Sequence, residues 1–392
     1  ERILKDFEGY RVSMGLYDYF TLGPKLKLIR EEDGRLTVDF SEFDKWVDLA
    51  IRYGANAFNL NLACSGGMAT LFAGGWGYPM LKITDRKTGK VSPYPAHCER
   101  PAPEIYENPD FIRFWGQYWK HAREKGWNRI AYVENVDEPN SDERKAWLLK
   151  THRFFREYCP GLKLTAYGVT TLNFPQSVGV MDEWRPPLRS YEESAPVLRK
   201  RQKLGEKIWV YTCGDPRKNP QGGYTPEMYL DTPLLDKRIP PILCWKYHID
   251  GLFQFTINHV KKAPNGQIGK YPILYDPSTV CQFGNGDQLW PGPELFQLLS
   301  SLRFEMMRDG REDYEYLVLL RKTFDQLKNK NDPADRALLK ESSACLEIPE
   351  RLVKDTLTWC HDPAPWMQWR NRVARQIVKL QKALKKKEKN EK

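Results

Sequence analysis

Short apolar, β-branched or aromatic runs alternate with amphipathic stretches along most of the chain, the pattern of strands alternating with helices. Runs at 11–17, 55–63, 129–136, 163–169, 177–183, 207–213, 251–257 and 286–290 predict eight strands. Apolar positions at helical spacing predict helices at 41–53, 110–125, 141–158, 190–204 and 232–248, with Ser41 and Ser141 as N-caps. Eight strand–helix units within roughly 300 residues imply an α/β fold, a (β/α)8 TIM-type barrel with long loop insertions. A doubly wound sheet is the alternative, but no GxGxxG or GxxxxGK follows any strand. The longest insertion, 65–108, contains a predicted hairpin over Lys82–Pro93 tipped by Lys87-Thr88-Gly89, and its Trp76, Tyr78, Tyr94 and His97 mark it as a functional loop. Beyond Gly310 the pattern turns helical and polar through 312–329, 333–345, 349–360 and 364–388. The expected organisation is a barrel over 1–310 and a C-terminal helical cap packed on it over 311–392, ending in a basic tail at 385–392.

Composition narrows the class. Of 392 residues, 41% are hydrophobic and 29% charged, which excludes a disordered or low-complexity chain. The net charge of +10 suggests a nucleic-acid partner until it is located: residues 371–392 hold nine Lys or Arg against two Glu, leaving the body at +3. The tail reads as a solvated helix end, and no nucleic-acid partner is expected. No apolar run reaches the length of a membrane span. Eight scattered Cys form no CxxC pair, so no metal site is expected; their even number permits disulfides without requiring them. The chain opens at Glu1 without an initiator Met, as one beginning mid-gene would. Thirteen Trp and twenty Tyr exceed what packing needs and suit flat platforms for sugars or bases.

In a barrel, catalytic groups sit at the C-terminal ends of strands, which shortlists Asp18, Asp137, Glu138, Asp182, Glu183, Asp215 and Asp287. Asp137 and Glu138 end one predicted strand, and Pro139 is expected to hold Glu138 in extended backbone, so that the two carboxylates point in different directions. Adjacent carboxylates are badly placed for the usual glycosidase pair, which flanks the scissile bond from different strands. They suit substrate assistance, in which a sugar's 2-acetamido oxygen attacks the anomeric carbon, one carboxylate orients the amide and the other protonates the leaving oxygen. The same tripeptide has a second reading as a helix N-terminus, where acidic residues favour the dipole. No GxSxG or Ser-His-Asp order appears. His121, His152 and His361 fall in helical stretches as surface or boundary residues, and no two His have ligand spacing.

Three segments carry a resemblance: Gly286-Asp287-Gln288-Leu289-Trp290-Pro291-Gly292, Ser301-Leu302-Arg303-Phe304-Glu305, and Arg308-Asp309-Gly310-Arg311-Glu312-Asp313-Tyr314-Glu315-Tyr316-Leu317. With Trp209–Cys213, Leu230-Asp231-Thr232-Pro233 and Asp250-Gly251 in the same order, they resemble glycoside hydrolase family 123, whose catalytic domain is also called DUF4091. The resemblance covers about residues 11–325. It implies a (β/α)8 barrel that hydrolyses β-linked N-acetylgalactosaminides with retention by the substrate-assisted route, without a cofactor. Asp137 would orient the acetamide, and Glu138 would be acid and then base. Substrate contacts are expected from His97, Tyr167, Trp184, Trp209, Tyr211, Trp245, Asn258 and Asp287. The implied partner is a glycan or glycolipid substrate, and the implied location is secreted or periplasmic. Relatives tend to carry Tyr-Trp where this chain has Gln254-Phe255, and an aromatic where it has Val260. Two other functions therefore stay open, hydrolysis of another β-hexosaminide and a catalytically silent carbohydrate-binding barrel. The charge-dense block 303–316 is expected to be a buried ion-pair network.

Overall fold

The computed structural model describes residues 2–13, 16–17, 25–60, 82–93, 106–134, 136, 138–170, 172–213, 225–254, 288–291 and 297–390. The chain divides into two compact units, Glu1–Pro186 with Glu193–Ile208, and Pro187–Glu192 with Trp209–Lys392. Both are mixed α/β.

The first unit opens with α1 (Arg2–Gly9) and β1 (Leu16–Tyr17), then β2 (Lys27–Arg30), β3 (Leu36–Asp39), α2 (Ser41–Arg52), β4 (Phe58–Asn59), β5 (Lys82–Asp85), β6 (Val91–Pro93), α3 (Pro109–Glu124), β7 (Ala131–Glu134), α4 (Asp142–Tyr158), β8 (Lys163–Tyr167) and β9 (Glu183–Arg185). Helix α5 (Tyr191–Lys203) and strand β10 (Lys207–Thr212) are each shared between the units. Strands β1, β4, β7, β8, β9 and the first two residues of β10 pair in that order, all parallel. One face of this sheet is apolar. Phe58, Leu60, Ala131, Val133 and Leu164 join a core with Phe43 and Val47 of α2, the aromatic stripe Phe111, Phe114, Trp115 and Tyr118 of α3, and Phe155 of α4. Helix α3 starts where Asn108 Oδ1 accepts from the Asp110 and Phe111 N–H groups with Pro109 at its first turn. Ser141 caps α4 as expected, accepting from the Arg144 N–H. Ser41 does not cap α2; it is the first helical residue, and its N–H donates to Asp39 Oδ1. His152 of α4 is no boundary residue but fully buried.

The hairpin over Lys82–Pro93 forms as expected from β5 and β6, and it joins β3 and β2 in a separate sheet ordered β3-β2-β5-β6. The β2–β3 hairpin has no counterpart among the predicted strands, although Asp33-Gly34 between two short alternating runs is a hairpin signal. The strand expected at 177–183 begins only at Glu183, because 175–177 form a 3₁₀ turn and Gly179 has φ +80°.

In the second unit the rest of β10 pairs in parallel with β11 (Gly251–Gln254), reached through α6 (Ile239–Tyr247). The strand expected at 286–290 is instead β12 (Trp290–Pro291), antiparallel to β13 (Leu298–Leu299). Helix α7 (Leu302–Asn329) starts ten residues earlier than expected, with Ser301 accepting from the Phe304 N–H. It packs against α6, α8 (Arg336–Leu346) and α9 (Pro363–Asn390). The helix expected at 349–360 is a hairpin of β14 (Val353–Asp355) and β15 (Thr358–Trp359). Gly310 lies inside α7: a Cβ there would come within 2.5 Å of the Arg238 carbonyl oxygen. Three residues on, fully buried Asp313 accepts from Arg238 Nη2 at 2.9 Å and lies 3.4 Å from Arg370 Nε. Within the charge-dense block the buried ion pairing is thus centred on Asp313, while Arg308 pairs with Glu305, Asp309 and Glu312 nearer the surface.

Candidate functional site

Side chains alternate across a strand, so the residues that do not join the apolar core share the other face of the first unit's sheet. They are polar on strand after strand: Asn59 on β4, Tyr132 and Glu134 on β7, Thr165 and Tyr167 on β8, Glu183 and Arg185 on β9. All but Tyr167 are buried. Asn59 Nδ2 donates to Glu134 Oε2 at 3.4 Å, and its Oδ1 accepts from the Glu134 N–H at 3.3 Å. Arg185 Nε donates to Glu183 Oε1 at 2.8 Å, and Nη1 donates to the Tyr167 hydroxyl at 3.1 Å. The guanidinium lies 4.1 Å from the centre of the Tyr132 ring and 5.1 Å from that of Tyr167, a planar cation between two π faces. Burial pushes the Tyr132 phenol well above its ordinary pKa despite the nearby Arg185 charge. Desolvating an ion pair costs several kcal/mol for each charge before pairing offsets it, so an apolar face would serve packing better.

Beyond β7 the chain reaches Glu138, which is exposed and lies at φ +41°. The extended backbone expected from Pro139 is not adopted. A non-glycine residue in the left-handed region costs about 1–3 kcal/mol and persists only where its surroundings enforce it. Gly168, just past β8 at φ +68°, lies beside Glu138. A Cβ on Gly168 would stand 3.2 Å from Glu138 Cγ and 3.6 Å from its Cα and Cβ. Gly168 is fixed on both sides. Its N–H donates to the Arg185 carbonyl at 3.0 Å, and its carbonyl accepts from Asn173 Nδ2 at 2.7 Å. Asn173 Oδ1 in turn accepts from the Thr170 N–H at 2.8 Å.

Of the other expected site residues, Asp137, His97, Asn258 and Asp287 lie outside the described residues, as do Asp18 and Asp215 from the carboxylate shortlist. Tyr167 is on the polar face. Trp184 is on the opposite face, fully buried, with its indole N–H donated to Glu206. Asp182 sits at the N-terminal end of β9, where it accepts from Arg156 and from the Leu164 N–H, each at 2.8 Å. In the second unit Trp209 and Tyr211 share one face of β10. The Trp209 indole lies over Gly251, where a Cβ would come within 2.2 Å of the ring, and 5.0 Å from the Phe253 ring. Trp245 donates its indole N–H to the Leu346 carbonyl at 2.7 Å and meets Tyr314 edge-on. Gln254 Oε1 accepts from the Thr212 hydroxyl.

Sequence reasoning missed Arg185, Glu134 and Asn59. The signal was present: polar residues at alternate positions of strands whose other face carries a helix layer. Among the described residues no three His, Cys, Asp or Glu side chains converge as a metal site, and no helix is long and apolar enough to cross a membrane. Among the described cysteines, Cys159, Cys244, Cys345 and Cys360 are free thiols.

Residues 23–320 match the family described as glycoside hydrolase 123, catalytic domain. Among solved structures, a family 123 glycoside hydrolase from Clostridium perfringens, studied for the details of glycolipid glycan hydrolysis, aligns over 98% of this chain with a TM-score of 0.51 and 14% identity. This chain covers 64% of that chain's length. At that identity the likeness shows a shared fold. No curated protein matches the sequence.

Proposed function

The chain belongs to glycoside hydrolase family 123, and from that premise we propose that it removes β-linked N-acetylgalactosamine from glycans by a retaining, substrate-assisted mechanism on a complete (β/α)8 barrel. The observation that carries the reading is Glu138. It is an exposed carboxylate beyond the third strand of a parallel sheet, held in a costly backbone conformation beside a buried polar face. Barrel enzymes keep their reacting groups beyond the C-terminal strand ends, and strain of this kind clusters at active sites.

In the proposed reaction the acetamide oxygen of the substrate attacks the anomeric carbon as the bond to the leaving oxygen breaks. Glu138 gives its proton to that oxygen. Asp137 holds the acetamide N–H and stabilises the oxazolinium that forms. Glu138, now a carboxylate, takes a proton from water as the water oxygen attacks the anomeric carbon from the vacated side and reopens the ring, with net retention. Tyr167, bound by Arg185, is proposed to contact the sugar. The glycolipid glycans of the solved relative make a glycolipid headgroup the first natural substrate to test.

A panel of aryl β-glycosides tests the reading: turnover of the N-acetylgalactosamine conjugate but not the galactose one is expected. Equal turnover of both would refute it, since galactose carries no internal nucleophile. A second reading, preference for another β-hexosaminide, is favoured by Gln254, which stands where relatives tend to have an aromatic; faster hydrolysis of the N-acetylglucosamine conjugate would establish it.

A further inference from the structure

Assigning Glu138 as the acid leaves open what aims it. We propose that Gly168 is a positioning residue for Glu138, a shelf without a side chain that fixes where the acid's carboxyl stands; the inference rests on the role given to Glu138 above. The three heavy atoms nearest to the missing Cβ of Gly168 all belong to Glu138, at 3.2, 3.6 and 3.6 Å. The shelf is anchored independently of the side chain it supports, by the Arg185 carbonyl on one side and Asn173 Nδ2 on the other. Arg185 is itself held by Glu183. The buried ion pair on β9 therefore helps to fix the backbone of Gly168, whose bare Cα leaves the space in which the Cγ of Glu138 stands. Glu138 departs from the extended backbone that Pro139 favours, and the bare Gly168 leaves room for it there. A methyl group at 168 needs the Cγ of Glu138 to retreat by a few tenths of an ångström, and rotation about its side-chain bonds enlarges that shift at the carboxyl.

Proton donation matters most when the leaving group is poor, which separates misaiming from general damage. Gly168→Ala is expected to lower kcat/KM about 10- to 100-fold on an alkyl glycoside and under about 3-fold on a dinitrophenyl glycoside, with little change in KM. Gly161→Ala is the control. Gly161 lies just before the same strand at φ +84° with nothing within 4 Å of a Cβ, so it carries the backbone penalty without the contact. Asn173→Ala loosens the anchor without adding an atom and is expected to show the same leaving-group pattern more weakly; it carries the test if Gly168→Ala fails to fold. An equal loss on both substrates in Gly168→Ala, or a leaving-group dependence reproduced by Gly161→Ala, overturns the inference. Glu138→Gln separates the two layers. If it shows strong leaving-group dependence while Gly168→Ala and Asn173→Ala behave as wild type, only the shelf is wrong. If it shows none, the acid assignment falls and the shelf falls with it.

Discussion

His152 makes stability depend on acid in a way that can be worked out from its surroundings. It is fully buried on α4, and burial, aided by the Arg156 charge and opposed only by a weak polar contact with the Thr165 backbone, pushes its pKa down to about 3 from an ordinary 6.5. The folded state therefore refuses a proton that the unfolded chain accepts. Stability is full above pH 6.5, falls as the pH drops below it, and stops falling near pH 3. Between those limits one such group removes about 1.4 kcal/mol per pH unit, or roughly 3 kcal/mol by pH 4.5. That is a large share of the ~5–15 kcal/mol that holds a typical domain together. Replacing His152 with Gln, which cannot titrate, isolates the effect from the carboxylates that also respond to acid. Urea unfolding followed by Trp fluorescence at pH 7.5, 6 and 4.5 should show wild type losing stability more steeply than His152→Gln, the gap widening to about 3 kcal/mol. Parallel curves, within about 0.5 kcal/mol over the whole range, would refute the argument and mean that the ring is protonated or solvated where the fold places it.

Other expectations follow from single contacts. Asp313→Asn leaves Arg238 buried without its partner and should cost about 3–5 kcal/mol of unfolding free energy; a loss under about 1 kcal/mol by chemical denaturation would mean that the pair does not anchor α7. Glu138→Gln should lose far more activity on poor leaving groups than on good ones, by roughly 10²- to 10⁴-fold, whereas Asp137→Asn should depress both alike; steady-state rates showing the reverse would exchange the two roles. Truncation after Leu384 removes Lys387, which lies 3.0 Å from Asp335 and also binds Asp332. A slight fall in Tm with unchanged kinetics is expected, and activity lost only on a polymeric acidic substrate would instead identify the tail as a docking element.

Several elements were legible because local and tertiary preferences agree. Strands β7 and β8 have apolar residues facing helices that themselves carry continuous apolar stripes. Where the two levels diverge, the pattern misleads. Residues 349–360 place Leu352, Val353 and Trp359 at spacings that imitate a helix, yet these residues are buried by a two-stranded turn. Glu138 is the sharper instance, since the local rule based on Pro139 predicts extended backbone and the residue lies at φ +41°. The adjacent pair Asp137 and Glu138 stands out in the sequence itself, and of the two Glu138 lies among the described residues. For Arg185 the alternation marks a polar face but not its partners, because only strand pairing brings Tyr132, Tyr167 and Glu183 to it.

The polar face of the first sheet also bears on how this protein would respond to engineering. Substitution of a buried ion pair by well-packed apolar residues is often neutral or stabilising. A library at 134, 183 and 185 selected for heat resistance alone would drift toward Leu, Met and Val, and its winners would be sturdier folds without that polar face. Screens on this scaffold should therefore couple every gain in melting temperature to turnover, and should treat easy stabilisation at those three positions as a warning.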